Sequence, residues 1–260
     1  MTKFAVTLDK PLTFSVLSCA SQIVSNLRAY SKKTGVSRCV LGLSGGVDSA
    51  ACLAICAQAF GPKNVLALLM PSKFTPKLDV SDALLLAKKF KVKIKAIDLQ
   101  PALDLLYNSS RLKKERVAYG NMLARLRMGV LYAHANLSGA LVIGTGDKSE
   151  ITLGYFTKWG DGACDVLPIG SLYKTQVRLL ALALGIPRQI AFKPSSPRLW
   201  AGHKAQKELG LGYDKIDQIL HLLEKKKKGQ AERLFGKKAV SVINKRIDSS
   251  RHKRSLAQAL

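Results

Sequence analysis

Apolar side chains recur along this chain in two alternating rhythms, helical spacing and short continuous β-prone runs. Over residues 12–30, Leu12, Phe14, Val16, Leu17, Ile23, Val24, Leu27 and Tyr30 stand at mostly helical spacing, which predicts an opening amphipathic helix. Cys39-Val40-Leu41-Gly42-Leu43 is a β-prone run, Ala50 to Phe60 reads as helix, and Val65 to Met70 as a second buried strand closed by Pro71. A helix over roughly 79–90 leads to a third strand, Val92 to Leu99. Helices are expected over about 101–107 and 121–137, then a fourth strand from Ala140 to Gly144 and a glycine-rich loop region reaching to about 170. The helix expected over 171–184 stops at Gly185, with Pro187 just beyond. Segments 194–212 and 229–239 carry enough Pro, Gly and Lys to predict loops, and 194–212 is long enough to be a mobile lid.

Strands alternating with helices imply an α/β fold, a doubly wound parallel sheet with helices on both faces. A chain of 260 residues suits a single domain over 1–260, and no internal repeat divides it. With 47% hydrophobic and 23% charged residues, it has the composition of a globular protein and not of a disordered one. The longest apolar run, Ala50 to Ala57, is far short of a membrane span, and Asp9, Lys10 and Pro11 interrupt any signal-peptide core. Cys19, Cys39, Cys52, Cys56 and Cys164 lack metal-binding spacing, so they read as buried, reduced thiols of a cytoplasmic protein.

Charge changes the picture only partly. Lys and Arg number 42 against 17 Asp and Glu, a net +25 that invites a nucleic-acid reading. The excess is spread throughout, however, and ends in a basic tail over 245–260. The densest run, Lys225 to Lys228, follows the amphipathic stretch Ile216, Ile219, Leu220, Leu222 and Leu223, where it caps a helix C-terminus or stays solvated. Nucleic acid is therefore not the expected partner, whereas a small phosphate-rich substrate would benefit from the same field.

The chemistry is concentrated after the first strand, in Gly42-Leu43-Ser44-Gly45-Gly46-Val47-Asp48-Ser49, which runs directly into a helix. In a doubly wound sheet, ligands bind beyond the carboxyl ends of strands, where this turn falls. Two glycines let the backbone approach a phosphate, two serine hydroxyls donate to its oxygens, and the helix N-terminus adds unpaired N–H groups. The loop is neither a Walker A nor a GxGxxG motif. Asp48 cannot bind an anion directly, so its natural task is to hold Mg²⁺ against the phosphates, the plain alternative being an Asp cap on a tight turn.

This element resembles the signature of the N-type ATP pyrophosphatases, which adenylate a substrate and release pyrophosphate. A second constellation runs from Leu141 through Gly144-Thr145-Gly146-Asp147-Lys148-Ser149-Glu150 and Thr157-Lys158-Trp159-Gly160-Asp161-Gly162 to Asp165, Tyr173 and Lys174. Together with Arg125-Leu126-Arg127-Met128, it resembles the ammonia-dependent NAD synthetases over nearly the whole chain, from Tyr30 to Arg254. The resemblance implies an adenine nucleotide alpha hydrolase-like fold and a ligase that forms a carbon–nitrogen bond. In such enzymes the nicotinate carboxylate of deamido-NAD attacks the α-phosphate of ATP, and ammonia then displaces AMP from the acyl-adenylate.

By the same resemblance, residues 42–49, Thr145, Lys174 and Ser196 would contact ATP, and Asp48 with Glu150 would ligate Mg²⁺. Deamido-NAD would meet Arg125, Lys158, Asp165, His252 and Lys253, with Tyr30 beside the nicotinate. Asp48, Lys174 and Asp161 form the implied catalytic set, Asp161 lying near the ammonia site. A homodimer is implied, with the deamido-NAD site built partly at the subunit interface. Only 43 residues precede Ser44, too few for a glutamine amidotransferase domain, so free ammonia or a separate partner is expected to supply the nitrogen. His134, His203 and His221 show no paired ligand spacing and read as structural, while Trp159 and Trp200 read as packing or lid residues.

The chain also departs from the family. After Leu199-Trp200-Ala201-Gly202 it reads His203-Lys204-Ala205-Gln206 where two carboxylates are usual, and Arg198 replaces a common acidic residue. That leaves two alternatives open beside the ligase: a tRNA-modifying adenylating enzyme of the same superfamily, and a nucleotide-binding protein with impaired catalysis. The implied first-contact residues are all present, so activity is expected to be retained.

Overall fold

The computed structural model describes residues 15–111, 113 and 115–256. Four short strands form one sheet in the order β3-β2-β1-β4: β1 Cys39–Gly42, β2 Val65–Leu69, β3 Lys93–Ala96 and β4 Leu141–Ile143. All pairs are parallel, with Cys39 opposite both Val65 and Leu141. The inner strands are almost continuously apolar because helices cover both faces. Edge strand β3 is exposed and carries Lys93 and Lys95, charges that discourage further strand pairing.

Helices α1 (Val16–Thr34), α2 (Val47–Phe60) and α7 (Lys174–Ala183) bury one face of the sheet, and α4 (Gln100–Ser109) with α5 (Arg116–Ser138) bury the other. Helix α3 (Lys77–Lys89) joins β2 to β3. A separate apolar cluster unites α6 (Lys148–Leu153), α9 (Ala205–Leu209), α10 (Tyr213–Glu224), α11 (Lys228–Phe235) and α12 (Lys237–Ser249). One short helix, α8 (Arg188–Ala191), completes the set among the described residues. No helix among them is long and apolar enough to cross a membrane.

Chain order reverses around β1: β2 and β3 extend the sheet to one side and β4 to the other. The loops leaving β1 and β4 therefore diverge and open a crevice at the carboxyl edge, where doubly wound sheets bind ligands.

Several expected boundaries shift. The opening helix begins at Val16; Leu12 and Phe14, also counted toward it, lie outside the described residues. The third strand keeps only four of its expected residues, since an edge strand with one neighbour loses its ladder early. Helix α5 starts at Arg116 and not near 121, because Glu115 accepts hydrogen bonds from Val117 N (3.0 Å) and Ala118 N (2.9 Å). The loop expected over 229–239 is helical on both sides of Gly236, whose φ of +85° makes the turn between them. Ala231, Val240 and Ile243 are fully buried against α10, and that burial outweighs the local Gly and Lys content. Helix α9 likewise interrupts 194–212, and α6 interrupts the glycine-rich region. The segment expected as a tail continues α12 to Ser249 and then turns back on the body: Lys253 Nζ donates to Gly154 O and Phe156 O, both at 2.9 Å.

Candidate active site

The turn after β1 is held by its own side chains. Ser49 Oγ donates to Gly46 O (3.1 Å) and accepts from Ser44 N (3.2 Å), and Ser44 Oγ lies 3.0 Å from it. Gly45 adopts φ +75°, and a Cβ there would meet Asp79 O at 2.1 Å, so the position admits no side chain. Lys193 Nζ donates to Gly45 O (2.9 Å), Asp79 Oδ1 (2.8 Å) and Asp82 Oδ2, binding the loop to the start of α3. Carbonyls are thus drawn to the protein side, and the N-terminus of α2 is left facing the crevice.

Across the crevice, Asp147 and Glu150 form a capping box on α6, with Glu150 N donating to Asp147 Oδ1 at 2.8 Å. Both carboxylates converge with Asp48 on Lys174, which has no exposed surface. Lys174 Nζ donates to Asp48 Oδ2 (2.6 Å) and Glu150 Oε1 (2.8 Å) and lies 3.0 Å from Asp147 Oδ2. Burial opposes its charge, but the three carboxylates prevail and hold its pKa well above the lysine range. Burial pushes Asp147 up to about 7 against the pull of Lys174, and raises Glu150 well above the carboxylate range. Asp48 Oδ1 is buried with no hydrogen-bond partner.

Between these walls lies a cavity of about 420 Å³. It is lined by Gly42, Leu43, Ser44, Gly46, Val47, Asp48 and Ser49 on one side and by Thr145, Glu150, Asp161, Ser196 and Lys253 on the others. A second cavity of about 310 Å³ adjoins it, sharing Thr145, Glu150, Asp161 and Lys253 and adding Lys158. Asp161 Oδ1 accepts from Thr157 N at 2.8 Å. The residue is open along the cavities but otherwise hemmed in by protein, which raises its carboxyl pKa despite that hydrogen bond and the charges of Arg127 and Lys253.

Six sequence-predicted residues stay outside the lining of both cavities: Gly45, Lys174, Tyr30, Arg125, Asp165 and His252, with Lys174 buried behind Asp48 and Glu150, which do line the larger one. Tyr30 is exposed on α1, and Arg125 faces outward with a long 3.4 Å contact to Lys158 O. Asp165 accepts from Tyr132 OH (3.0 Å) and Val142 N (2.7 Å), while the carbonyl of His252 accepts from Lys158 Nζ.

Sequence reasoning quoted Arg127 and Asp147 within motifs without giving either a role, and it missed Lys193 altogether. Arg127 lines the larger cavity and donates from Nε to Met70 O (3.1 Å); enclosure of its guanidinium lowers its pKa to about 10 against the pull of Asp161. Two positions apart on a helix, Arg125 and Arg127 point about 200° apart, and buried Leu123 and Ala124 are the signal that favours the second. The departures from the family pattern acquire partners here. Arg198 Nε donates to Asp79 Oδ2 (2.8 Å), and His203 stacks on Trp200 with ring centroids 3.5 Å apart. His203 Nε2 reaches Glu208 Oε2 (2.8 Å) and Tyr155 OH (3.1 Å).

A parallel sheet opened at its switch point, with a glycine loop and a carboxylate–lysine cluster facing across the gap, defines a nucleotide-using enzyme. The sequence model of the NAD synthase family matches residues 19–257, and the chain belongs to that family. It is 48% identical over 223 residues to the NH(3)-dependent NAD(+) synthetase of Aeropyrum pernix, covering 84% of this chain and 78% of that one. With the enzyme of that name from Pyrobaculum aerophilum it shares 46% over 236 residues, covering 90% and 88%. Among solved structures, NMN synthetase from Francisella tularensis superposes with a TM-score of 0.86 at 34% identity, covering 95% of this chain and 99% of that one. The NH3-dependent NAD synthetase of Campylobacter jejuni gives 0.82 at 31%, covering 95% and 100%. The fold is accordingly adenine nucleotide alpha hydrolase-like, and the chain is an ATP-dependent ligase that forms a carbon–nitrogen bond.

Proposed function

We propose that this chain converts deamido-NAD to NAD with ammonia and ATP, releasing AMP and pyrophosphate. The observation that carries the reading is the meeting of the 42–49 loop with the Asp48–Lys174–Glu150 cluster across the crevice between β1 and β4. An oxygen of the nicotinate carboxylate attacks the α-phosphorus of ATP, and the bond to the β-phosphate breaks with its electron pair leaving on pyrophosphate. The α2 N-terminus and the hydroxyls of Ser44 and Ser49 receive that charge, and Lys174, buried behind Asp48, adds a positive charge beside the loop. Thr145 and Ser196, which also line the larger cavity, bind the remainder of ATP. Ammonia next attacks the acyl carbon, the carbon–oxygen bond to AMP breaks, and nitrogen loses a proton. Asp161, with its raised pKa, is the acceptor for that proton.

The donor set fits Mg²⁺. Asp48 and Glu150 are hard oxygen ligands, and the unpartnered Asp48 Oδ1 is the free atom such a cation takes. Among the described residues no group of three or more His, Cys, Asp or Glu is disposed to hold a metal, so Asp48 and Glu150 are the side chains that would hold the ion. Bound there, the ion supplies charge stabilisation on the departing pyrophosphate.

Lys158 and Lys253 bind deamido-NAD from the second cavity. Arg125, Asp165, His252 and Tyr30 join them in a cytoplasmic homodimer, where outward-facing residues of one subunit complete the site of the other. Segment 194–212 acts as the lid of this single domain, tied down through Arg198 and His203. The relative named NMN synthetase favours a second acceptor, the corresponding mononucleotide acid. An end-point assay with ATP, Mg²⁺ and either acid, with ammonium or glutamine as nitrogen donor, tests the reading. NAD with equimolar AMP from ammonium alone supports it; product only from the mononucleotide acid favours the second acceptor, and no amide from either contradicts both. Light scattering giving a monomer mass would contradict the dimer.

A further inference from the structure

Lys174 is a buried lysine on the first turn of α7; Gln176 Oε1 of the same helix accepts from Tyr173 N (3.0 Å), but the amides of Lys174 and Thr175 find their partners outside the helix. The anchor comes from α10. Asp217 has no exposed surface and lies outside both cavities, yet its carboxylate is fully engaged. Asp217 Oδ2 accepts from Thr175 N at 2.8 Å, and Oδ1 accepts the hydroxyl proton of Ser149 at 2.5 Å. With its proton committed to Asp217, Ser149 Oγ turns a lone pair to Lys174 N, 3.0 Å away. One carboxylate thus caps two amides of the α7 N-terminus, one directly and one through a relay.

Ser149 is also the residue before Glu150 and the second residue of α6. The same carboxylate therefore fixes the backbone on both sides of the Lys174–Glu150 contact. Burial raises the pKa of Asp217, opposed by the bonds from Ser149 and Thr175 N, so the hydrogen bonds are what keep an acceptor there. A buried carboxylate is a poor source of stability when apolar packing is available, as it is all around α10.

We propose that Asp217 is a positioning residue of the amidation reaction, acting through Ser149 and the first amides of α7 to hold Lys174 against the transferring phosphates. The proposal rests on the ligase reading for the role of Lys174. Its test uses the full chain carrying Asp217→Asn, Ser149→Ala or both. An asparagine can accept at only one of the two places, whichever way its amide turns, and Ser149→Ala removes the relay with little change of volume.

The expected result is a fall of about tenfold or more in kcat with KM for ATP changed less than about threefold, as for an interaction realised in the transition state. Because the two residues act in series, the double variant should be hardly slower than the worse single one. Unchanged kcat per folded molecule in Ser149→Ala, or effects that multiply in the double variant, would overturn it. Amide exchange at Lys174 and Thr175 gives a readout independent of the reaction. Faster exchange in both single variants is expected, and unchanged exchange overturns the proposal even if the wild type makes no NAD.

Discussion

His203 shows how one residue can be legible in kind but not in place. Its lack of a paired metal ligand in the sequence gives it a structural reading, and it is buried at 4% exposure against Trp200 and Glu208. What the linear order hides is that Tyr155, 48 positions away, joins the nearby Trp200 and Glu208 around it. Burial lowers its folded-state pKa, against the bond to Glu208. The unfolded chain therefore takes up that proton first as pH falls, and stability drains away below about pH 6.5 until the folded value is reached. His203→Gln should accordingly flatten the fall in Tm between about pH 7.5 and about pH 5.5. An equally steep fall in the variant would show that the imidazole is not the group responsible.

At the scale of elements, the order of strands and helices was readable because apolar runs and helical spacing report burial directly. The phosphate loop was readable because its chemistry is contiguous: Ser44 to Ser49 supply the turn, the hydroxyls and the helix start in one stretch. Lys174 and Glu150 were reached through resemblance alone, since their meeting with Asp48 depends on three elements packing at one point. Lys193 and Asp79 left no local signal, being 114 positions apart. Their effect is concentrated at Gly45, where the positive φ and the Asp79 carbonyl both exclude a side chain. Gly45→Ala should cost roughly 1–3 kcal/mol of stability through backbone strain. ATP binding should weaken more than binding of deamido-NAD alone, which isothermal titration of each ligand can check. Equal weakening of both ligands would mean that the loop serves the fold and not the phosphates.

For the molecule as a whole, a net charge of +25 contributes little to fold choice but creates a field in which every substrate of the proposed reaction except ammonia is an anion. Raising KCl from about 50 to about 500 mM should increase KM for ATP severalfold while leaving kcat nearly unchanged, because screening acts on encounter and not on the buried Lys174 cluster. A KM insensitive to salt would detach the charge from catalysis. The central claim concerns the order of bonds made and broken in the crevice: the carboxylate is adenylated before nitrogen arrives. The most direct measurement uses deamido-NAD labelled with ¹⁸O in its nicotinate carboxylate, with ATP, Mg²⁺ and ammonium, and reads the label by mass spectrometry. One ¹⁸O transferred to each AMP, with unlabelled pyrophosphate, is the result expected of an acyl-adenylate. AMP free of label, with ¹⁸O in pyrophosphate or phosphate instead, would contradict attack at the α-phosphorus and with it the roles of the 42–49 loop and Lys174 in that step.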